Sequence, residues 1–300
     1  MTILDDLSTG KLANIEERVE SGEVRFIRGT VLDADTVERA VREADIVYHL
    51  AAAVGVRYIV RDPIGSALTN VRGTENILAS AQRHQVPVLL ASSSEIYGKN
   101  PRAPFAEDQE RVLGPTWVHR WSYSTSKAMD EHLAFAYADG GLPVVVLRYF
   151  NAYGPRLDER GYGSVVARFA AQALAGRPIT IHGDGVQSRS FTYVADTVRG
   201  TILAAELPDA RGKVFNVGAT EEISIARLAE LIRDIAGSRS EIRHVSYESY
   251  YGSGFEDTRR RVPDVSRARD VLGFTACVPL HEGLTRTLEW CRANFAGEGR

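Results

Sequence analysis

Lysine is scarce in this 300-residue chain: only Lys11, Lys99, Lys127 and Lys213 stand among 36 basic residues, so a lysine in a chemically suggestive setting is easy to notice. The 36 basic and 39 acidic residues leave a formal charge of −3, and so no global field draws the chain to nucleic acid or anionic lipid. The two cysteines, Cys277 and Cys291, form no metal-ligand spacing, and the expectation is a reduced, cytoplasmic protein. No apolar run approaches the roughly 18 residues of a bilayer span, and no basic-then-apolar leader opens the chain. The seven histidines lack ligand spacing and no Gly-x-Ser-x-Gly elbow occurs, so metalloenzyme and hydrolase readings find no support. What remains is 44% hydrophobic and 25% charged residues, an ordinary globular make-up with room for about two domains.

The first half alternates short apolar runs with helical patterns, which reads as βα units and a parallel sheet. Predicted strands are Thr2–Leu4, Val24–Ile27, Ile46–Leu50, Val88–Ser92 and Val144–Tyr149. Predicted helices are Asp35–Glu43, Pro63–Arg83 and Tyr123–Ala138, the last ended by Gly140-Gly141 and Pro143. Further on come a helix near Ser164–Ala175, strands Ile179–His182 and Val214–Val217, and helices near Ser224–Ala236 and Leu280–Phe295. The expected fold is α/β: a Rossmann-like, doubly wound parallel sheet over residues 1–155, to which 190–220 return, with a smaller C-terminal α/β lobe in 156–300 closing over its carboxyl edge.

The chain also lacks a glycine-rich turn near its start. In a dinucleotide-binding βαβ unit such a turn follows the first strand, and an acid about 20 residues later, after the second strand, holds the adenosine ribose. Thr2-Ile3-Leu4-Asp5-Asp6 has the look of that second strand and its acid. The expectation is a sheet whose first strand is missing, with about 25–30 residues of strand, glycine loop and helix belonging before Met1.

Tyr123-Ser-Thr-Ser-Lys127 carries the strongest chemical signal. An i, i+4 spacing puts phenol and ammonium on one helix face, where the cation is expected to lower the tyrosine pKa and make a general base for a sugar hydroxyl. Upstream, Ala91-Ser-Ser-Ser-Glu-Ile-Tyr-Gly98 follows an apolar strand. Hydroxyls at a strand's carboxyl end can hold a reacting oxygen, and the adjoining carboxylate can move a second proton.

With these residues in view, the chain resembles the extended short-chain dehydrogenase/reductase family of nucleotide-sugar epimerases, dehydratases and decarboxylases. The resemblance runs from Thr2 to about Phe295. Besides the two motifs above, it is carried by Leu4-Asp-Asp-Leu-Ser-Thr-Gly10, His49-Leu-Ala-Ala52, Asn70-Val-Arg-Gly-Thr74 and Leu147-Arg-Tyr-Phe-Asn-Ala-Tyr-Gly-Pro-Arg156. Gly183-Asp-Gly, Arg189-Ser-Phe-Thr-Tyr-Val-Ala-Asp196 and Phe215-Asn-Val-Gly218 complete it.

The resemblance implies Tyr123 as base, Lys127 on the nicotinamide ribose, Ser93 or Ser94 steadying the sugar hydroxyl, and Glu95 beside them. It implies Asp5 and Asp6 on the adenosine ribose, which favours NAD over NADP because an acid repels a 2′-phosphate. Thr9, Gly10, Thr30, Val31, Leu50, Ala51, Ala52, Asn70 and Tyr149 would also line the cofactor, with Thr30 standing where members often carry an acid. Asn151 and Arg189 would meet the nucleotide diphosphate, and Arg261 would complete the substrate site. A homodimer through the helices at Pro63–Arg83 and Tyr123–Ala138 is also implied.

The family's shared first step is oxidation at sugar C4, and several outcomes stay open. UDP-sugar 4-epimerisation is placed first because it makes the fewest demands on the pocket. UDP-glucuronate decarboxylation is the alternative, since Ser94-Glu95, Arg120-Trp121 and Tyr251-Gly-Ser-Gly-Phe-Glu-Asp257 with Arg261 look like that branch. 4,6-Dehydration comes third, because Ser94 occupies the position where a dehydratase usually carries aspartate. A non-catalytic paralogue unable to hold NAD is a reading of a different class, supported by the absent glycine loop alone.

Overall fold

The computed structural model describes residues 1–55, 59, 61–158, 164–251 and 256–295. Strands β1 (Thr2–Asp5), β2 (Arg25–Arg28), β3 (Val47–His49), β4 (Val88–Ser93) and β5 (Val144–Tyr149) alternate with helices α1 (Glu16–Glu20), α2 (Ala34–Val41), α3 (Pro63–His84) and α4 (Ser122–Asp139). The helices start where the sequence offers acceptors to their free N–H groups. Asp33 caps α2 by accepting from the Asp35 and Thr36 amides, and Asp62 accepts from Gly65 N at 2.9 Å ahead of Pro63 in the first turn of α3.

Beyond residue 150 lie β6 (Ala152–Tyr153), α5 (Val165–Leu174), β7 (Ile179–His182), β8 (Ser188–Ser190), β9 (Thr192–Tyr193) and α6 (Val194–Glu206). They are followed by β10 (Lys213–Val217), β11 (Glu222–Ser224), α7 (Ile225–Ala236), β12 (Ile242–Val245), α8 (Tyr247–Tyr251), β13 (Arg260–Arg261), α9 (Ser266–Leu272) and α10 (Leu280–Asn294).

The fold is the expected Rossmann-like α/β arrangement. Four parallel strands order as β10-β5-β4-β3, and β4 and β5 read as near-continuous apolar runs because helices cover both faces. On one face α3 and α4 pack over Leu78, Ala81, Leu90, Ala134 and Val146; on the other, Leu89, Leu147, Phe215 and Phe274 form a second core with α6 and α9. A third core, around Phe169, Ile181, Leu228 and Leu284, holds α5, α7 and α10 together in the C-terminal part.

The parallel layer is in two pieces. Among the described residues β1 pairs only with β2, and β3 only with β4. Between β1 and β3 lies a cavity of about 1030 Å³.

Most predicted elements recur with ends moved by one or two residues. Helix α6 was not predicted, and its packing shows why: the residues it buries are Asp196, Gly200 and Ala204, while Val198 and Ile202 are exposed. A helix that turns its small and polar residues inward leaves no apolar stripe to detect. Gly200 is needed there, because a Cβ would come within 2.9 Å of Val217 and 3.0 Å of Phe274.

One ionic group is buried beneath the sheet's carboxyl edge. Arg148 on β5 makes a bidentate pair with Glu131 on α4, at 2.9 and 2.7 Å. Ser92 on β4 donates to Glu131 at 2.5 Å, and the Arg148 Nη1 donates to the Tyr97 hydroxyl at 2.9 Å, which in turn donates to Asn216 on β10 at 2.7 Å. Removing one partner of a buried pair strands the other charge, at a typical cost of about 3–5 kcal/mol. Arg148→Met should therefore lose about that much in urea unfolding, and adding Glu131→Leu should restore part of it. A single-variant loss below about 1 kcal/mol would show the pair to be dispensable.

Candidate functional site

The functional side chains gather at the carboxyl ends of β4 and β5 and the first turns of α4, the edge where open parallel sheets bind ligands. Helix α4 brings Tyr123 and Lys127 to one face. Strand β4 ends at Ser93, whose hydroxyl hydrogen-bonds the Tyr123 phenol and accepts from Glu95 N at 3.2 Å. Of the two candidate serines, Ser93 is therefore the one at the phenol; Ser94 is buried at the start of the following 3₁₀ turn, Ser94–Tyr97.

The lysine does not act on the phenol as the spacing suggested. Its Nζ donates to Asp130 Oδ2 at 3.0 Å, with the Lys127 side chain 2% and the Asp130 side chain 0% exposed. Burial pushes the Tyr123 phenol up from its ordinary value; the Glu95 and Asp130 carboxylates push the same way, and Ser93 and Arg261 oppose them. Asp130 neutralises the ammonium that was expected to favour the phenolate. Behind it, Thr74 hydrogen-bonds Asp130 and lies 3.0 Å from His49 Nε2. Asp130 was missed in the sequence, where its only signal was an i, i+3 spacing from Lys127.

Beside the phenol runs a mostly buried network of arginines and carboxylates. Glu95 accepts from Arg120 at 2.6 Å and from Arg261. Burial alone would raise its pKa, but the two guanidinium groups outweigh burial and hold Glu95 well below the usual carboxylate range. Arg261 also donates to Asn151 Oδ1 at 2.9 Å. Arg189 pairs with Asp257 at 3.1 Å, Arg120 lies 3.7 Å from the same carboxylate, and the Tyr247 hydroxyl donates to it at 3.1 Å. Burial, with Arg261 adding to it, pushes Arg189 down to about 10. Within these five charged residues, three guanidinium groups face two carboxylates. The expected substrate residues Asn151, Arg189 and Arg261 are thus brought together with Glu95, as is Asp257 from the Tyr251–Asp257 motif; of that motif, residues 252–255 lie outside the described residues.

The expected cofactor residues divide. Asp5, Thr9, Gly10, Val31, Leu50, Ala51 and Ala52 all line the cavity between β1 and β3. A Cβ on Gly10 would stand 3.1 Å from Asp5 Oδ1, so glycine keeps that face of the carboxylate open, which fits a ribose diol. Asp6 instead is exposed and accepts from Ser8 N at 2.8 Å, and the Thr30 hydroxyl accepts from Leu32 N at 3.2 Å.

Two further expected cofactor residues hold bonds within the protein. Asn70 is buried with its amide consumed: Oδ1 accepts from Ala53 N at 2.7 Å and Nδ2 donates to Ser126 at 3.0 Å, so it ties the segment after β3 to α4. The Tyr149 hydroxyl meets Thr201 at 2.8 Å, and that bond to α6 occupies its polar end.

Known proteins resemble this chain in sequence and in fold. The model of the NAD dependent epimerase/dehydratase family matches residues 1–218. A UDP-N-acetyl-alpha-D-glucosaminuronate decarboxylase of Bacillus cytotoxicus is 39% identical over 292 residues, covering 97% of this chain and 90% of that protein. UDP-glucuronic acid decarboxylase 1 of Xenopus tropicalis is 35% identical over 293 residues, covering 97% of this chain and 66% of that longer protein. Among solved structures, UDP-glucuronic acid 4-epimerase from Bacillus cereus, in complex with UDP-glucuronic acid and NAD, superposes with a TM-score of 0.86 at 28% identity, covering 97% and 90% of the two chains.

His49 offers a test of the network behind Lys127. Burial, helped by the Lys127 charge, lowers its pKa to about 3. The folded protein then stays unprotonated at His49 while the unfolded chain binds a proton near pH 6.5, so stability falls as pH drops through that value, by about 1.4 kcal/mol per unit. Comparing urea unfolding at pH 7.5 and 5.0, His49→Gln should lose less stability on acidification than the parent. Equal losses would mean that the imidazole is not held neutral.

Proposed function

The chain belongs to the NAD-dependent epimerase/dehydratase family of nucleotide-sugar enzymes, and from that premise we propose that it decarboxylates a UDP-linked hexuronic acid. The observation that carries this reading is the pair of guanidinium groups, Arg120 and Arg261, that share Glu95 beside Tyr123. The diphosphate common to all UDP-sugars would take Arg189; a neutral hexose adds nothing for Arg120 and Arg261, whereas a C6 carboxylate offers them paired, planar hydrogen bonds. The identities of the relatives support the same order: decarboxylation moves ahead of the 4-epimerisation that the sequence placed first.

NAD, when bound, supplies the two-electron acceptor that oxidises sugar C4 and returns the electrons after carbon dioxide has left. Its adenosine ribose would meet Asp5, and its nicotinamide ribose would meet Lys127. Tyr123 takes the proton from the C4 hydroxyl, and Ser93 holds that oxygen. Arg261 and Arg120 hold the C6 carboxylate, which is β to the C4 ketone. Loss of carbon dioxide leaves its electron pair in the ketone's π-system as an enolate; a proton from water at C5 restores the ketone, and Tyr123 is placed to return its proton to the C4 oxygen as that ketone is reduced. Glu95, fixed as a carboxylate, keeps the two arginines in position and needs no proton of its own.

Incubation with UDP-glucuronate or UDP-N-acetylglucosaminuronate should release carbon dioxide and give a UDP-pentose or its acetamido counterpart. Tyr123→Phe should cut turnover by about 10²–10⁴, the usual cost of losing a general base. In calorimetry, UDP-glucuronate should bind more tightly than UDP-glucose, and Arg261→Ala should erase the difference. Clean interconversion of UDP-glucose and UDP-galactose with no carbon dioxide from either uronate would sink the reading.

We also propose a homodimer. Helices α3 and α4 pack together and leave Ile64 (74% exposed), Leu68 (50%) and Met129 (46%) in solvent, apolar residues that a second copy of the helix pair would cover. Light scattering should give twice the 33.0 kDa chain mass. Leu68→Glu with Met129→Glu should return a folded monomer, and a monomeric parent at micromolar concentration would refute the interface.

A further inference from the structure

We propose that Glu256 is a positioning residue that sets the selectivity of the site for an acidic sugar, acting through Trp121 on Arg120; the proposal rests on the hexuronate reading above. Two dipeptides meet crosswise beside the phenol. Arg120-Trp121 lies just ahead of Tyr123, and Glu256-Asp257 enters from the C-terminal part. Asp257 faces Arg120 at 3.7 Å, while Glu256 Oε2 accepts from the Trp121 indole N–H at 2.8 Å. The same oxygen accepts from Lys99 Nζ at 2.9 Å. The bonds of Glu256 run to Trp121 and Lys99, so its influence on the substrate end of the site passes through them.

The indole is a platform for the guanidinium. Arg120 Cζ lies 5.2 Å from the centroid of the Trp121 ring, a distance at which a planar cation is held to an aromatic face. A cation on such a face turns with it, so its aim is only as fixed as the ring. Trp121 is buried, and a buried indole N–H requires an acceptor. Glu256 supplies that acceptor, and the bond selects one orientation of the ring. Gly114 leaves the room for it, because a Cβ there would stand 2.4 Å from both Glu256 Oε2 and the indole nitrogen. With the ring fixed, Arg120 reaches Glu95 at 2.6 Å. The same anchor serves Asp257: Glu256 is bonded on one side of it and Thr258, which donates to Gly98 O at 2.7 Å, on the other. Arg120 is one of the two groups assigned to the C6 carboxylate, so a loosened ring weakens the hold on an acidic sugar and leaves a neutral one unaffected.

The test uses the full chain and calorimetry with UDP-glucuronate and UDP-glucose, with Tm as the control for folding. The parent should bind the uronate about tenfold more tightly, the worth of one charge-assisted hydrogen bond. Glu256→Ala should remove most of that preference and leave UDP-glucose affinity within about twofold of the parent's. Glu256→Gln, whose amide oxygen still accepts from the indole, should keep the preference. Trp121→Phe, which loses the N–H, should lower it as Glu256→Ala does, and the double variant should lower it no further. A preference unchanged in Glu256→Ala, equal losses in the Ala and Gln variants, or additive losses in the double variant would overturn the proposal. A second readout needs no sugar: rotation of the Arg120 guanidinium, followed by NMR of nitrogen-labelled arginine and assigned through Arg120→Lys, should quicken in Glu256→Ala and not in Glu256→Gln. Unchanged rotation overturns the positioning role even in a selective parent. A parent that binds both sugars alike sinks the hexuronate reading and the selectivity that rests on it, whereas quickened rotation in that case still supports Glu256 as the residue that holds Arg120.

Discussion

The Arg148–Glu131 pair sets the frame in which the site is built. It joins β5 to α4 under the carboxyl edge of the sheet, and Ser92 and Tyr97 bind the same pair from β4 and the turn that follows it. Helix α4 carries Tyr123 and Lys127, and β4 ends in Ser93. The position of the phenol relative to Ser93 is therefore framed by a charged group buried about two turns away along the helix, with the Ser93–Tyr123 hydrogen bond formed inside that frame. Asn216 extends the constraint to β10 through Tyr97, so the strand that returns from the C-terminal part is tied to the same anchor. Directional bonds suit this purpose better than apolar packing, which tolerates small rotations of a helix against a sheet.

Charge compensation divides the site into two electrostatic halves. On the cofactor side Lys127 is matched by Asp130 inside the protein, and His49 is kept neutral behind them. On the other side Arg120, Arg189 and Arg261 share Glu95 and Asp257, and burial lowers the Arg189 pKa. A one-to-one pair offers little to a second anion, whereas guanidinium groups that share a carboxylate keep donors for one. That arrangement supports the proposed anionic substrate at the end of the pocket next to the phenol.

The sequence carried the periodic elements and the chemical residue types, and less of the electrostatics. Strands β4 and β5 were legible because burial on both faces makes them uniformly apolar, and α3 because Asp62, Pro63 and a regular pattern mark it. Tyr123, Lys127, Ser93 and Glu95 were legible as types at meaningful spacing. The state of Tyr123 was not, because it depends on Asp130 and Glu95 sharing its surroundings after folding. The bonds of Asn70 and Tyr149 were not legible for a related reason: their motif positions are visible in sequence, but the partners of their polar atoms, Ala53, Ser126 and Thr201, come from other elements.

Glu95 is the point at which the two halves of the molecule meet. It follows β4 directly, while Arg261 comes from β13, which pairs with β8, the strand of Arg189; Arg120 comes from the turn ahead of α4. One carboxylate thus joins the sheet that carries Ser93 to the C-terminal strands that carry two of the three guanidinium groups. A hexuronate carboxylate entering beside Glu95 would bind Arg120 and Arg261 across that same junction. It would add its charge beside those two guanidinium groups. A neutral sugar would occupy the same volume without these bonds, so selectivity for an acidic substrate would rest on the same ionic contacts that join the sheet to the C-terminal strands.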